Sequence, residues 1–462
     1  MLNPCPQQPQ IDPPGSPVGS LRGRTPAQVI AAWPGTSPLA ALTSGSIPGP
    51  HARWTILASP TSSLTGYRNS IRGALGSIPA PALSNPAPGS PPFTGGWIGW
   101  IGYEAGASIE PAAQTNGALV SGRDWPDACF LRCPGAMVHD ARVDRWSIVG
   151  DARSLPALDF ASDDRAYKIG PLSSLTGRDR YTRDAASIIG LIHAGDAFQV
   201  NLAHHLTAPF RGDARRCFLD LTRSVSPWFG AYIERPDGLG AVCSLSPELF
   251  LRADLVGRTV TTRPIKGTRP DTSDEAELRG SAKDAAELAM IVDLMRNDLG
   301  RVCTFGSVRV TDAQSIERHA AGPGDQPSAG VLHGVATITG RLREGVDLGA
   351  LLDASFPPGS VTGAPKVRAM QIIDEFESIP RGPYCGAIGF VSYSGPVELS
   401  VAIRTASILG RRLDPDRLGA IEGTLSFPVG AGLVADSDPQ AEWLETLDKA
   451  AAFVAALRRT NS

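Results

Sequence analysis

Short runs of β-branched and aromatic residues, set apart by Gly/Pro turns, recur along this chain, and helical stretches do not alternate with them one by one. That order limits the fold more than any other feature. Parallel strands need a crossover between them, usually a helix, whereas hairpins join antiparallel strands directly. The expected class is therefore α+β with antiparallel sheets. Residues 53–58 (RWTILA) alternate as a strand does, and 95–103 (GGWIGWIGY) form a glycine-spaced apolar run suited to close backbone approach. Residues 136–140 and 145–149 read as a hairpin. Further strands are expected at 198–206, at 229–252 around the turn Pro236-Asp237-Gly238, within 307–345, and at 384–393, 397–408 and 418–425. Helices are expected over 181–194, 213–225 and 274–297. Another follows Pro365, with Val367, Met370, Ile373 and Phe376 on one face, and a last one follows Asp438 and Pro439.

Residues 1–25 are rich in Pro, Gly and Gln and read as a disordered tail. Residues 26–160 form a β-rich N-terminal region. The polar stretch 151–178 is read as a boundary, with a second domain over 175–460 and a loose insert at 320–330. A net charge of −3 argues against nucleic acid or an anionic membrane as partner. Seven cysteines without C-x-x-C spacing point to free thiols in a reducing compartment. There is no signal-peptide pattern and no apolar run of membrane-spanning length, so the expectation is a soluble, cytoplasmic protein.

Lysine is scarce: 5 of the 43 basic residues. Lys266 lies in RPIKGT (263–268), after the β-branched run 260–262, at a strand end entering a turn. It is either a solvated surface lysine or an amine held in a cleft, where loss of its proton makes it a nucleophile or base, as arginine cannot be. Glu248 is the one acid of an apolar stretch, SLSPELF (244–250). It is either an edge acid with its head in water or a buried carboxyl with a raised pKa, fit for general acid work. Asp284 with Glu287, and Glu442 with Glu445, each stand at i, i+3 on a helix. Facing one another they would offer hard oxygen ligands to Mg²⁺; otherwise they are surface charge, and Glu445 with Lys449 is an ordinary i, i+4 pair worth about 0.3–0.5 kcal/mol. The loop 359–366 lacks nucleotide P-loop spacing but could hold a carboxylate on backbone N–H groups, as could Gly430-Ala431-Gly432; a tight turn is the alternative for both. His333 is either a structural histidine or a hydrogen-bond partner for a substrate hydroxyl.

Taken together, FQVNLA (198–203), SLSPELFL (244–251), RPIKGT, KDAAELAMIVDLMRNDLGRV (283–302), FPPGSVTGAPKVRAMQIIDEFE (356–377), YCGAIGF (384–390), IRTA (403–406) and GAGLVADSDPQAEWLETLDKA (430–450) resemble the chorismate-utilising enzymes. These are component I of aminodeoxychorismate synthase and of anthranilate synthase, isochorismate synthase and salicylate synthase. TGGWIGWIGYEAG (94–106) matches more loosely. The resemblance implies two large, mostly antiparallel sheets packed together with helices outside. It implies Mg²⁺ bridging a substrate carboxylate to Glu287 and Glu445, with Asp284 and Glu442 as outer partners. It puts Arg404, Tyr384, Lys449, Gly430 and Gly432 at the substrate carboxylates, Thr362 in the lining loop, and His333 near the C4 hydroxyl, with Glu248 as its general acid.

Two positions separate the members. Water-adding relatives carry lysine where this chain has Gln199, so the resemblance implies a nitrogen nucleophile. Anthranilate synthases carry alanine where this chain has Lys266, and lysine there resembles the aminodeoxychorismate branch. In that branch the amine is held to attack C2 of chorismate as the C4 hydroxyl leaves, and ammonia then enters C4. No glutaminase nucleophile turn is present, so ammonia is expected from a separate glutaminase subunit or from free ammonium. An anthranilate-type or 2-amino-2-deoxyisochorismate-type enzyme, and a non-catalytic scaffold of the same fold, are the competing readings.

Overall fold

A computed structural model describes residues 17–45, 49, 51–67, 76, 78, 89–113, 124–161, 165–319 and 330–458. The fold is α+β: two large antiparallel sheets packed face to face, with helices on their outer sides. Among the described residues the larger sheet has twelve strands and the smaller ten. Its order runs from Gly363–Ala364 through Gln199–Asp213, Ala420–Leu433, Thr405–Arg412, Gly240–Ser246, Phe229–Glu234, Ala40–Thr43, Trp54–Ala58 and Gly135–Asp140 to Arg145–Gly150, with Tyr167–Ile169 and Ser173–Ser174 beside Gln199–Asp213. The ten-stranded sheet runs from Ile265–Pro270 through Val331–Arg341, Thr259–Arg263, Leu249–Asp254, Pro396–Val401, Ala387–Ser392, Gly96–Ile101 and Ala128–Cys133 to Ser62–Gly66; Arg309–His319 also pairs with Val331–Arg341.

Side chains that alternate along a strand fall into different cores, as a pleat with both faces covered requires. Ile56, Ala58, Val138, Ala231, Ile233 and Val242 of the larger sheet meet Ile98, Trp100, Leu131, Ile388 and Phe390 of the smaller one between the sheets. The intervening Leu57, Met137, Tyr232 and Cys243 face the other way and pack with residues of the helices Ala214–Ser224 and Pro439–Arg458. The helices Arg178–His193, Ala282–Gly300, Leu348–Ser355 and Lys366–Phe376 contribute to the third and largest core, together with strand residues of both sheets such as Leu202 and Phe250.

Several expectations are corrected. Residues 17–25 are ordered: Pro17–Leu21 is a helix and Leu21 is fully buried, in one core with Trp33. Residues 1–16 lie outside the described residues, as do 320–329 of the insert. The helix expected over 274–297 is two, Glu275–Arg279 and Ala282–Gly300, because Ser281 breaks the run and caps the second by accepting from the Asp284 N–H. The strands expected at 198–206 and 418–425 extend to Asp213 and Leu433, since each supplies the other's hydrogen bonds over fourteen paired positions. The run 397–408 is interrupted at Arg404, whose φ is +50°. The stretch 151–178 does not divide the sheets: Ala40–Thr43 pairs with Phe229–Glu234, and Gly96–Ile101 with Ala387–Ser392. Six cysteines are buried and unbonded; Cys5 is outside the described residues. Among the described residues no helix is long and apolar enough to cross a membrane.

Candidate active site

A bulge in the smaller sheet builds the centre of the site. Against Val331–Arg341 the register of Ile265–Pro270 shifts between Lys266 and Thr268, and Gly267 takes φ +80° there. A Cβ at Gly267 would also lie 2.7 Å from a Leu278 methyl and 3.0 Å from the Asp284 carboxyl carbon. Bulges re-aim side chains at sheet margins, and only glycine fits this one without strain. The Lys266 amine then pairs with Glu287 Oε2 at 2.7 Å, its side chain 20% exposed. Glu248 immediately precedes the strand Leu249–Asp254 and is buried. Burial raises its pKa to about 7, although hydrogen bonds from Ser360 and the Ile265 N–H, and the charge of Lys266, favour the carboxylate. Of the two readings of Glu248, the buried carboxyl is the one observed.

The long strands of the larger sheet close the other side. Asn201 pairs with Gly432 and Ala203 with Gly430. A Cβ on Gly432 would come within 2.9 Å of Lys266 Nζ and 3.3 Å of Gln199 Nε2, so this glycine makes room for the amine. Gln199 is fully buried, and neither amide atom has a partner among the described residues. A buried, unsatisfied amide costs free energy unless a ligand completes it. Gly430 and Gly432 lie within the strand rather than after it, and the Gly430 carbonyl accepts from Lys449 Nζ at 2.9 Å.

His333 Nδ1 lies 3.0 Å from Thr268 Oγ1, while its Nε2 has no partner among the described residues. Burial first, then Arg404 and His319, depress the imidazole well below its usual pKa, so the ring is neutral. Arg404 has no carboxylate partner among the described residues, and burial lowers its pKa to about 10. A guanidinium so placed is a ready receptor for an anion. Tyr384 is buried and Cys385 follows it; the Cys385 thiol in turn feels the charge of Glu248. The Thr362 hydroxyl closes its own turn, donating to the Pro358 carbonyl at 2.9 Å, while the Thr362 carbonyl accepts from the Asn201 N–H.

The four carboxylates are divided between two helices. Glu287 also lies 3.9 Å from Lys283; Asp284 accepts from Arg269 at 2.7 Å, Glu442 from the Ser437 hydroxyl at 2.6 Å, and Glu445 pairs with Lys449 at 2.7 Å. Against the opposing effect of burial, Lys449, then Lys266 and Lys283, draw Glu445 below its usual pKa. Glu287 and Glu445 thus share the field of the same two lysines. Among the described residues no three His, Cys, Asp or Glu side chains gather as a ready-made metal cluster. The donor set nonetheless fits Mg²⁺: all oxygen, with the Lys266 ammonium resting on Glu287 where a cation would be held.

Sequence reasoning missed two supports. Ser360 Oγ donates to Glu248 Oε1 at 2.6 Å. Arg381 is buried and donates to Glu377 at 2.6 Å, to the Asn201 carbonyl at 2.8 Å and to the Val361 carbonyl at 3.0 Å, so one guanidinium ties the Gln199 strand to the Thr362 loop. Both residues lie in or beside stretches already singled out, but Glu248 is 112 residues from Ser360 and Asn201 is 180 from Arg381.

The two-sheet α+β fold brings a buried acid, Glu248, beside an amine, Lys266, and buries Arg404 without a carboxylate partner among the described residues. The chain belongs to the chorismate binding enzyme family, whose profile matches residues 56–455. It is 37% identical over 382 residues to aminodeoxychorismate synthase component 1 of Klebsiella aerogenes, covering 78% of this chain and 76% of that protein. It is 36% identical over 412 residues to anthranilate synthase component 1 of Streptomyces coelicolor, covering 82% and 75%. Among solved structures, anthranilate synthase component I from Streptococcus pneumoniae superposes with a TM-score of 0.70 at 26% identity, covering 88% of this chain and 94% of that one.

Proposed function

We propose that this chain converts chorismate and ammonia to 4-amino-4-deoxychorismate and water, as component 1 of an aminodeoxychorismate synthase. The observation that carries the reading is the Lys266 amine beside the buried Glu248. Lys266 Nζ, once neutral, bonds to C2; the two conjugated ring double bonds shift and the C4 hydroxyl departs as water, taking the proton of Glu248. Ammonia then bonds to C4 and returns a proton to the Glu248 carboxylate, the double bonds shift back, and the lysine leaves C2 as a neutral amine, so both side chains are restored. Hydroxide is a poor leaving group, which is why the acid is needed; positioned acids typically contribute about 10²–10⁴-fold. Neutral His333 offers to a ring hydroxyl an Nε2 that has no partner among the described residues, and Arg404 offers its guanidinium to a carboxylate. Mg²⁺, held by Glu287 and Glu445, would supply the charge that neutralises the other carboxylate.

Anthranilate synthase chemistry is the second reading, favoured by the 36% identity to an anthranilate synthase component 1. Lys266 weighs against it, because an amine on C2 keeps ammonia from that carbon. Incubation of the purified chain with chorismate, Mg²⁺ and ammonium, followed by mass and NMR analysis, separates the two. A 4-amino product supports the proposal, and anthranilate or a 2-amino product overturns it. The same chain is expected to use ammonium but not glutamine, a glutaminase partner being required for the latter. The working compartment follows from the reading as cytoplasmic, where chorismate chemistry and free thiols are compatible.

A further inference from the structure

Ser360 stands in the 3₁₀ turn Gly359–Val361, and its hydroxyl is spent on one bond, to Glu248 Oε1 at 2.6 Å across 112 residues of sequence. That turn is held from three sides. Lys366 Nζ donates to Asp298 at 2.6 Å and to the Ser355 carbonyl at 2.7 Å, Arg381 donates to the Val361 carbonyl, and Thr362 closes on Pro358. A hydroxyl on so constrained a turn cannot follow a moving partner; the partner conforms to it. We propose that Ser360 is the positioning residue of the acid, donating to Oε1 so that the reactive proton of Glu248 is carried on Oε2.

The chemistry of a carboxylic acid makes this consequential. Its proton sits on one oxygen only, and an oxygen that accepts a strong O–H donor is the one that stays unprotonated. Without Ser360 the proton divides between the two oxygens and the carboxyl rotates about a broad terminal torsion. The other groups facing Glu248 do not replace the hydroxyl. The Ile265 N–H donates from the start of Ile265–Pro270, Lys266 acts through its charge, and the Cys385 thiol is itself driven to about 12 by burial and offers no charge near neutrality. Ser360 also favours the carboxylate over the acid, so it trades some proton affinity for orientation.

The inference rests on Glu248 being the general acid, and the test separates the two. Infrared titration follows the protonated carboxyl band that disappears in Glu248→Gln, in the parent and in Ser360→Ala and Ser360→Thr. In Ser360→Ala the midpoint is expected at higher pH than in the parent, and the alkaline limb of kcat with chorismate and ammonium moves with it. On the acid side of that limb kcat falls about 3- to 10-fold, the worth of one hydrogen bond, while KM for chorismate stays unchanged. Ser360→Thr, which keeps the hydroxyl, restores both. An unmoved midpoint in Ser360→Ala, or a raised KM with kcat intact, overturns the positioning role. A parent that shows the band but yields no amino product overturns the functional reading instead.

Discussion

At the scale of single residues, the site works by giving two ordinary groups unusual surroundings. Glu248 is buried, and its pKa rises to about 7. A general acid must hold its proton, so the raised value keeps the active form populated up to about neutrality, and turnover is expected to fall as pH rises through about 7. Glu248→Gln should lower kcat by about 10²–10⁴-fold with KM little changed and remove that alkaline limb; a variant that alters KM alone would move Glu248 from chemistry to binding. Lys266 is paired with Glu287 and faces Gly432 and Gln199. Lys266→Ala should lower formation of the 4-amino product and open C2 to ammonia, giving some 2-amino product at high ammonium. Unchanged rate and regiochemistry would make Lys266 a bystander. Both residues were legible as exceptions: one of five lysines in an arginine-rich chain, and one acid in an apolar run. What sequence could not supply was the partner of each. Glu287 and Ser360 reach them only through the fold.

At the scale of elements, helices were more legible than strands. The helix Arg178–His193 lies close to its expected span, because buried Ala185, Ile188, Ile189 and Ile192 repeat on one face. Strand ends were not, because a strand ends where its partner ends. The run of Gln199–Asp213 is set by residues 420–433. The glycine-rich loop shows the same dependence. It is pinned by Lys366, which joins it to Asp298 on the helix that also bears Glu287. Burial raises the pKa of Asp298 and lowers that of Lys366, so each depends on the other for its charge. Lys366→Met should therefore leave Asp298 buried without a counter-charge and cost about 3–5 kcal/mol in urea unfolding. The double variant Lys366→Met/Asp298→Leu should recover much of that loss, since the unpaired charge is gone. Equal stability of the single and double variants would show that the pair is not what holds the loop.

At the scale of the whole molecule, the polar stretch 151–178 suggested two domains, and the sheets say otherwise. Composition marks where a chain is exposed, not which strands it pairs with, and these pairings join residues about 190 and 290 apart in sequence, a separation no local signal encodes. The first 160 residues supply Ala40, Ile56, Ala58, Ile98, Trp100, Leu131 and Val138 to the core between the sheets, against Ala231, Ile233, Val242, Ile388 and Phe390 from the remainder. Without them, Phe229–Glu234 and Ala387–Ser392, both buried along their whole length, would become open edges of the two sheets. Exposed apolar edge strands recruit other chains. A fragment spanning residues 175–462 holds Lys266, Glu248, Glu287 and Glu445, yet it is expected to aggregate or to lack a cooperative unfolding transition. Co-expression with residues 1–174 is expected to restore solubility by returning the missing strands to both sheets. The measurements are size-exclusion chromatography and thermal unfolding followed by circular dichroism. A monomeric fragment that melts cooperatively and turns over chorismate at the parent's rate would mean that the N-terminal strands are an addition to a self-sufficient catalytic domain, not part of its core.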